Sequence, residues 1–113
     1  RLPRHIPLKI AMGMILTGKR ISAYEAKELG LVNEVVPGNE LMTAAKRWAN
    51  EILECSPLST RASKQMALTS LDWPIEIAMD RTYSEVQKLM ASDDMKEGPK
   101  AFAEKRKPNW TGS

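Results

Sequence analysis

A single phenylalanine and a cluster of cations lie near the end of the chain, and their spacing suggests a surface for a phosphate-bearing ligand. Phe102 precedes Lys105 by three residues, and Arg106 and Lys107 follow directly. Residues at i and i+3 share a helix face, so a helix through this stretch would place the ring beside the ammonium. An aromatic ring next to a cation can hold a nucleotide with its phosphates. Phe102 and Lys105 are therefore the candidate binding residues.

The same cluster has a plainer interpretation, which the residue pattern alone favours. Ser92, Asp93 and Asp94 suit the positive start of a helix dipole, and the cations at 105–107 suit its negative end. On this interpretation the cations only complement the dipole of a terminal helix. Ligand binding and dipole complement both remain open at this point.

Other reactive side chains give weaker signals. His5 is the only histidine and has no carboxylate, serine or cysteine at an informative spacing, so a non-catalytic side chain is favoured. Cys55 has no histidine near it in the sequence, which favours a structural role over a nucleophile. No Cys/His pair has metal-ligand spacing, and we expect no metal site. The three tryptophans are far apart in the sequence and favour separate packing anchors over a base-stacking platform: Trp48, Trp73 and Trp110.

Length and composition limit the class of protein. The chain has 113 residues, enough for one domain at most, with 42% hydrophobic and 27% charged residues, which is typical of a globular protein. A net charge of +3 is too small to indicate a nucleic-acid partner. Apolar runs fall far short of the roughly 20 residues needed to span a bilayer, so we expect no membrane partner. With one cysteine and no signal peptide, we expect a cytoplasmic protein.

Helix boundaries are marked in the first part of the chain by capping residues. The apolar stripe over 8–17 predicts a helix, and Gly18 stands where a C-terminal cap belongs. Ser22 and Glu25 form a capping-box pattern that begins a second, short helix, which Gly30 ends. The stretch from Leu31 to Pro37 is β-branched and predicts a short extended segment.

Further helices follow the same rules. A helix over 40–54 carries one apolar face, and Ser56 with Pro57 begins the next. Pro74 predicts the start of a longer helix with a continuous buried face running to Met90. The expected fold class is all-α, with five to six helices and one short extended segment. The first residue is Arg1 rather than Met, and we expect the chain to be a piece of a longer protein.

Four stretches in order resemble a known family: "RLPR", "AMGMILTGKRISAYEAKELGLVNEVVP", "SPLSTRASKQ" and "SDDMKEGPKAFAEKRKPNW". Together they are similar to the C-terminal part of the crotonase superfamily, the enoyl-CoA hydratase/isomerase family. The last stretch resembles its carnitinyl-CoA dehydratase branch. The resemblance covers the whole chain but a little under half of a complete family member.

The resemblance implies an enzyme acting on an acyl-CoA thioester, with coenzyme A as part of the substrate and no separate cofactor. Family members hold the thioester oxygen between two backbone N–H groups and move protons with glutamates. Those groups lie in an N-terminal spiral core ahead of Arg1, so no catalytic residue is carried over, and Glu25, Glu28 and Glu34 match none. What the resemblance does carry over is closure of the coenzyme A pocket by Phe102 and Lys105.

The resemblance also implies a division of the chain and an oligomer. Arg1–Pro37 would end the core region, and Gly38–Ser113 would form the helical trimerisation region of an α/β fold, giving a homotrimer or hexamer. The chain alone would be inactive. Two other hypotheses remain open: a non-catalytic helical oligomerisation or interaction module, and a basic nucleic-acid-binding protein whose binding would fall steeply with salt.

Overall fold

The computed structural model describes residues 1–113 as two compact units, Arg1–Ala44 and Ala45–Ser113. Seven α-helices and three short 3-10 helices are present, with no strand, so the all-α prediction is confirmed. The α-helices are α1 (Leu8–Thr17), α2 (Ala23–Glu28), α3 (Leu41–Leu53), α4 (Pro57–Thr69), α5 (Ile75–Asp80), α6 (Ser84–Met90) and α7 (Asp94–Ala103). The 3-10 helices are Leu2–Arg4, Gly38–Glu40 and Ser70–Asp72.

The helix ends of the first unit follow their local sequence. Gly18 ends α1 in the left-handed conformation at φ 64°. The Ser22 side chain accepts from the Glu25 backbone N–H at 3.2 Å, and the Glu25 carboxylate accepts from the Ser22 N–H at 2.7 Å. This reciprocal capping box also lowers the pKa of Glu25 below its ordinary value. Gly30 follows α2 at φ 75°, so both predicted helices of this unit are confirmed.

The stretch from Leu31 to Pro37 forms no strand. Its first three residues bend and the rest are irregular, because no neighbouring strand is present to pair with it. The β-branched composition therefore yields an irregular link before the 3-10 turn at Gly38–Glu40.

The largest correction concerns the helix predicted from Pro74. It is interrupted at 81–83, where Arg81 takes an extended conformation (ψ 139°), and it becomes the separate helices α5 and α6. The interruption turns the Tyr83 ring inward, where it is buried and its hydroxyl donates to the Ala78 carbonyl at 3.0 Å. Gln65 of α4 caps the new start of α6: its amide oxygen accepts from the Glu85 N–H at 2.9 Å. These bonds satisfy two of the backbone groups at the break, the Ala78 carbonyl and the Glu85 N–H.

The predicted continuous buried face of that helix is consequently wrong. Ile75, Met79 and Met90 are 66%, 74% and 62% exposed. The buried apolar residues of the second unit are instead Leu58 and Ala62 of α4, Ala78 of α5, Tyr83 before α6 and Ala101 of α7.

Little of the large apolar surface is covered by the chain itself. Eight apolar residues are buried and five of them are alanine. No residue of α3 is buried, although it carries the predicted apolar face, and Leu41, Trp48 and Ile52 on that face are 61%, 39% and 53% exposed. Exposed apolar area of this extent is typical of a surface that another chain or segment covers. None of the helices has the length and apolarity required to cross a membrane.

Candidate functional site

The terminal helix α7 ends earlier than the sequence predicts. Its last residue is Ala103, with Glu104 as the C-cap, so Phe102 lies in the final turn while Lys105 lies beyond the helix. The prediction that Phe102 and Lys105 share a face of one continuous helix is therefore wrong, because the helical spacing does not extend to Lys105. Phe102 and Lys105 instead flank the helix end.

Phe102 is the most exposed large apolar side chain of the protein, at 87%. A ring exposed to this extent leaves most of the roughly 2 kcal/mol of hydrophobic stabilisation from its burial unrealised. The ring is therefore available to a ligand or a neighbouring chain.

Lys105 has an unusual backbone conformation. Its φ is 54°, and it is the only residue other than glycine with positive φ. The Lys105 N–H donates to the Phe102 carbonyl at 3.2 Å and the Arg106 N–H donates to the Ala101 carbonyl at 3.1 Å, a Schellman motif. Glycine is usual at this position, because the left-handed conformation costs other residues about 1 to 2 kcal/mol.

The three cations of the cluster have different environments. The Arg106 guanidinium binds both carboxylate oxygens of Glu97, at 2.6 and 2.9 Å, and Glu104 at 2.6 Å. Lys105 and Lys107 make no ion pair. All three cations lie past the end of α7, so dipole complement within the last helical turn does not describe them; the last-turn cation is Lys100.

Glu97 is the centre of this turn. Its carboxylate also accepts from the Asn109 backbone N–H at 2.7 Å, and its side chain is only 19% exposed. The Arg106 hydrogen bonds, followed by the Asn109 N–H, lower the pKa of Glu97 from 4.5 to about 2. The same pair raises the pKa of Arg106.

The segment after the turn is anchored at two further points. The Trp110 indole donates to the Glu54 carbonyl at 2.8 Å, and its ring lies beside Gly98. The buried Asp94 carboxylate accepts from the Thr111 N–H and the Ser56 hydroxyl, both at 2.8 Å. Burial raises the Asp94 pKa, but these bonds and those from Gly112 outweigh it and leave the pKa below its ordinary value.

Acidification should loosen this segment. The folded pKa of Glu97 lies below its unfolded value, so its stabilising contribution is complete above about pH 4.5 and is lost as the pH falls toward 2. Between about pH 5 and about pH 2, we expect the unfolding temperature of the unmodified chain to fall by more than the unfolding temperature of the Glu97→Gln variant. Both proteins retain Asp94, so the difference isolates Glu97. Parallel curves for the two proteins would contradict the assignment.

The remaining sequence candidates are not brought into this site. His5 is exposed in the first unit. Cys55 is exposed after α3 and its thiol lies 3.7 Å from the Glu51 carbonyl oxygen. No group of three or more His, Cys, Asp or Glu residues is arranged to hold a metal ion. A groove of about 320 Å³ lies beside the start of α7, lined by Asp93, Asp94, Lys96, Glu97, Lys100, Asn109 and Thr111.

Sequence reasoning missed Glu97 and Asp94, which hold the site together. Glu97 and Arg106 are nine residues apart, a separation at which no helical spacing rule applies. The available signal was Trp110, since an aromatic anchor after a proline indicates that the chain packs back on the preceding helix.

The chain belongs to the enoyl-CoA hydratase/isomerase family, whose model matches residues 1–113. This confirms the resemblance to the crotonase superfamily. Among curated relatives, the chain is 42% identical over 112 residues to the (E)-benzylidenesuccinyl-CoA hydratase of Thauera aromatica. It is 40% identical over 116 residues to the carnitinyl-CoA dehydratase of Salmonella paratyphi A. Each match covers 99% of this chain and 44% of the relative.

Solved structures agree with this assignment. A protein from Novosphingobium aromaticivorans described as a short chain enoyl-CoA hydratase superposes with a TM-score of 0.92 at 47% identity, over 97% of this chain and 43% of that one. An enoyl-CoA hydratase from Mycobacterium tuberculosis superposes with a TM-score of 0.92 at 38% identity, over 100% and 45%. The chain therefore corresponds to a helical portion of the crotonase fold and spans less than half the length of these relatives.

Proposed function

We propose that this chain is the C-terminal portion of an enzyme that hydrates, dehydrates or isomerises the double bond of an acyl-CoA thioester. Within that enzyme it closes the coenzyme A pocket and forms the oligomer interface, and it is inactive alone. Family membership over the full chain supports the acyl-CoA substrate. The observation that supports the pocket role is that an exposed Phe102 and a strained Lys105 without an ion pair lie three residues apart at one helix end.

The chemistry of this helix end fits an adenine nucleotide. Bases stack on exposed aromatic rings, and a lysine without a carboxylate partner retains its full charge for a phosphate oxygen. Backbone strain of the kind seen at Lys105 is concentrated at ligand-binding sites. Phe102 would contact the adenine and Lys105 a phosphate.

The enzyme hypothesis is tested on a complete protein that carries this sequence. We expect the purified protein to convert a 2-enoyl-CoA or the corresponding hydroxyacyl-CoA, measured as the absorbance change of the conjugated thioester. A well-folded oligomer that converts no acyl-CoA would instead favour the non-catalytic helical module.

Self-association is expected from the uncovered apolar faces. Sedimentation of the chain at micromolar concentration should show an oligomer, or a chain that folds only together with the rest of the protein, because α3 leaves its whole apolar face exposed. Ile52→Glu should shift the sample toward monomer, because it places a charge on the apolar face. Lys46→Glu changes a residue that is already polar and exposed on the same helix, and it should have little effect. A stable folded monomer of the unmodified chain would contradict the interface role.

A further inference from the structure

Lys105 is held in a conformation that its own sequence does not favour. In a Schellman motif the residue just past the helix cap is usually glycine, but here that residue is Lys105, and no glycine lies between Ala101 and Arg106. A lysine released from this turn would return mainly to the right-handed or extended regions. Contacts from outside the turn must therefore contribute to its conformation.

Glu97 supplies those contacts. Its two carboxylate oxygens bind the two terminal nitrogens of Arg106, the residue directly after Lys105, in a bidentate pair at 2.6 and 2.9 Å. The same carboxylate accepts from the Asn109 N–H at 2.7 Å, so it holds the chain on the far side of the turn as well. One carboxylate in α7 thus fixes two points of the segment that follows Lys105.

We propose that Glu97 is a positioning residue, which through Arg106 holds Lys105 in the left-handed conformation and so directs the Lys105 ammonium to a phosphate of the acyl-CoA. The inference rests on the proposed function, since it assumes that Lys105 binds the ligand. Loss of Glu97 lowers the fraction of molecules with Lys105 in position, and the apparent affinity falls by the same fraction. The left-handed conformation is disfavoured about five- to thirtyfold, and the Schellman bonds remain, so an effect near the lower value is expected.

The test compares Glu97→Gln, Lys105→Ala and the double variant in a complete enzyme carrying this chain. Glu97→Gln should raise KM for the acyl-CoA about fivefold while kcat stays within about twofold. In the Lys105→Ala background, Glu97→Gln should have no further effect on KM, because the group it positions is gone. Glu85→Gln is the matched control: it removes an ion pair with Lys88 in α6, away from this turn, and should leave KM unchanged.

A second variant tests whether the effect on KM arises without loss of the fold. Arg106→Lys keeps the charge but loses the bidentate geometry, and it should reproduce the KM increase with an unchanged circular dichroism spectrum. If Lys105→Ala raises KM but Glu97→Gln and Arg106→Lys do not, the positioning role is wrong and the pocket assignment stands. An equal effect of Glu97→Gln with and without Lys105 also overturns it. If Lys105→Ala leaves KM unchanged, the pocket assignment itself fails, and the positioning role fails with it.

Discussion

The 113-residue chain by itself should convert no acyl-CoA above a buffer blank. Loss of one oxyanion donor lowers kcat about 100- to 1000-fold, and loss of general acid–base groups about 100- to 10,000-fold. The proposed function places both sets of groups in the part of the enzyme that lies outside this chain. Three carboxylates of the chain already bind other groups of the fold. Glu25 caps a helix, Asp94 accepts hydrogen bonds in a buried network, and Glu97 forms an ion pair.

The complete protein is the control for the inactivity of the isolated chain. The complete protein, at the same molar concentration and with the same acyl-CoA, should give turnover where the isolated chain gives none. Measurable turnover by the purified chain would show that it contains a catalytic group that the proposed function assigns elsewhere.

In the complete enzyme, Lys105→Ala and Phe102→Ala should each raise KM for the acyl-CoA about tenfold or more with little change in kcat. A charge-assisted hydrogen bond contributes about 1.5 to 3 kcal/mol, and a base stacked on an aromatic ring about 1 to 3 kcal/mol. Contacts far from the reacting carbons are equal in the ground and transition states, so the loss appears in KM rather than in kcat.

Two further variants separate charge from backbone strain. Lys105→Gly relieves the left-handed strain and should stabilise the fold, but it removes the ammonium and should raise KM as Lys105→Ala does. Lys107→Ala removes another unpaired cation two residues away and should change KM little. If Lys105→Ala and Lys107→Ala raise KM equally, and both increases shrink with added salt, the cluster attracts the ligand only by its overall charge and Lys105 is not a specific binding residue.

Local capping chemistry could be predicted from the sequence because its partners are close in the chain. Ser22 and Glu25 are three residues apart, and Gly18 follows a single apolar stripe, so the ends of α1 and α2 depend on few residues. Ser56 likewise caps α4 through the Ser59 N–H at 3.3 Å. Each of these boundaries agrees with the structure.

The break between α5 and α6 could not be predicted in this way. The apolar residues from Ile75 to Met90 keep a helical period, so the pattern indicates one helix. The interruption is stabilised by Gln65, about twenty residues earlier, and by burial of Tyr83. Neither contact can be recognised from the residues around the break. Tertiary contacts therefore override a pattern that is locally consistent with helix.

The candidate site shows the same limit. Phe102 and Lys105 are recognisable by type and by family resemblance, but their geometry depends on Glu97, Arg106 and Trp110. Those contacts end α7 at Ala103 and place Lys105 outside it. The two proposed binding residues could be named from the sequence, whereas the contacts of Glu97 and the conformation of the turn could not.

The most direct test of the pocket assignment compares two thioesters of the same acyl group in a complete enzyme carrying this chain. One is the acyl-CoA and the other is the acyl-pantetheine, which lacks the adenine and its attached phosphates. We predict that Lys105→Ala raises KM for the acyl-CoA about tenfold and leaves KM for the acyl-pantetheine unchanged, because only the first ligand has the phosphate that Lys105 binds. The same fold-change with both thioesters, or no change with either, would contradict the assignment of this helix end to the coenzyme A nucleotide.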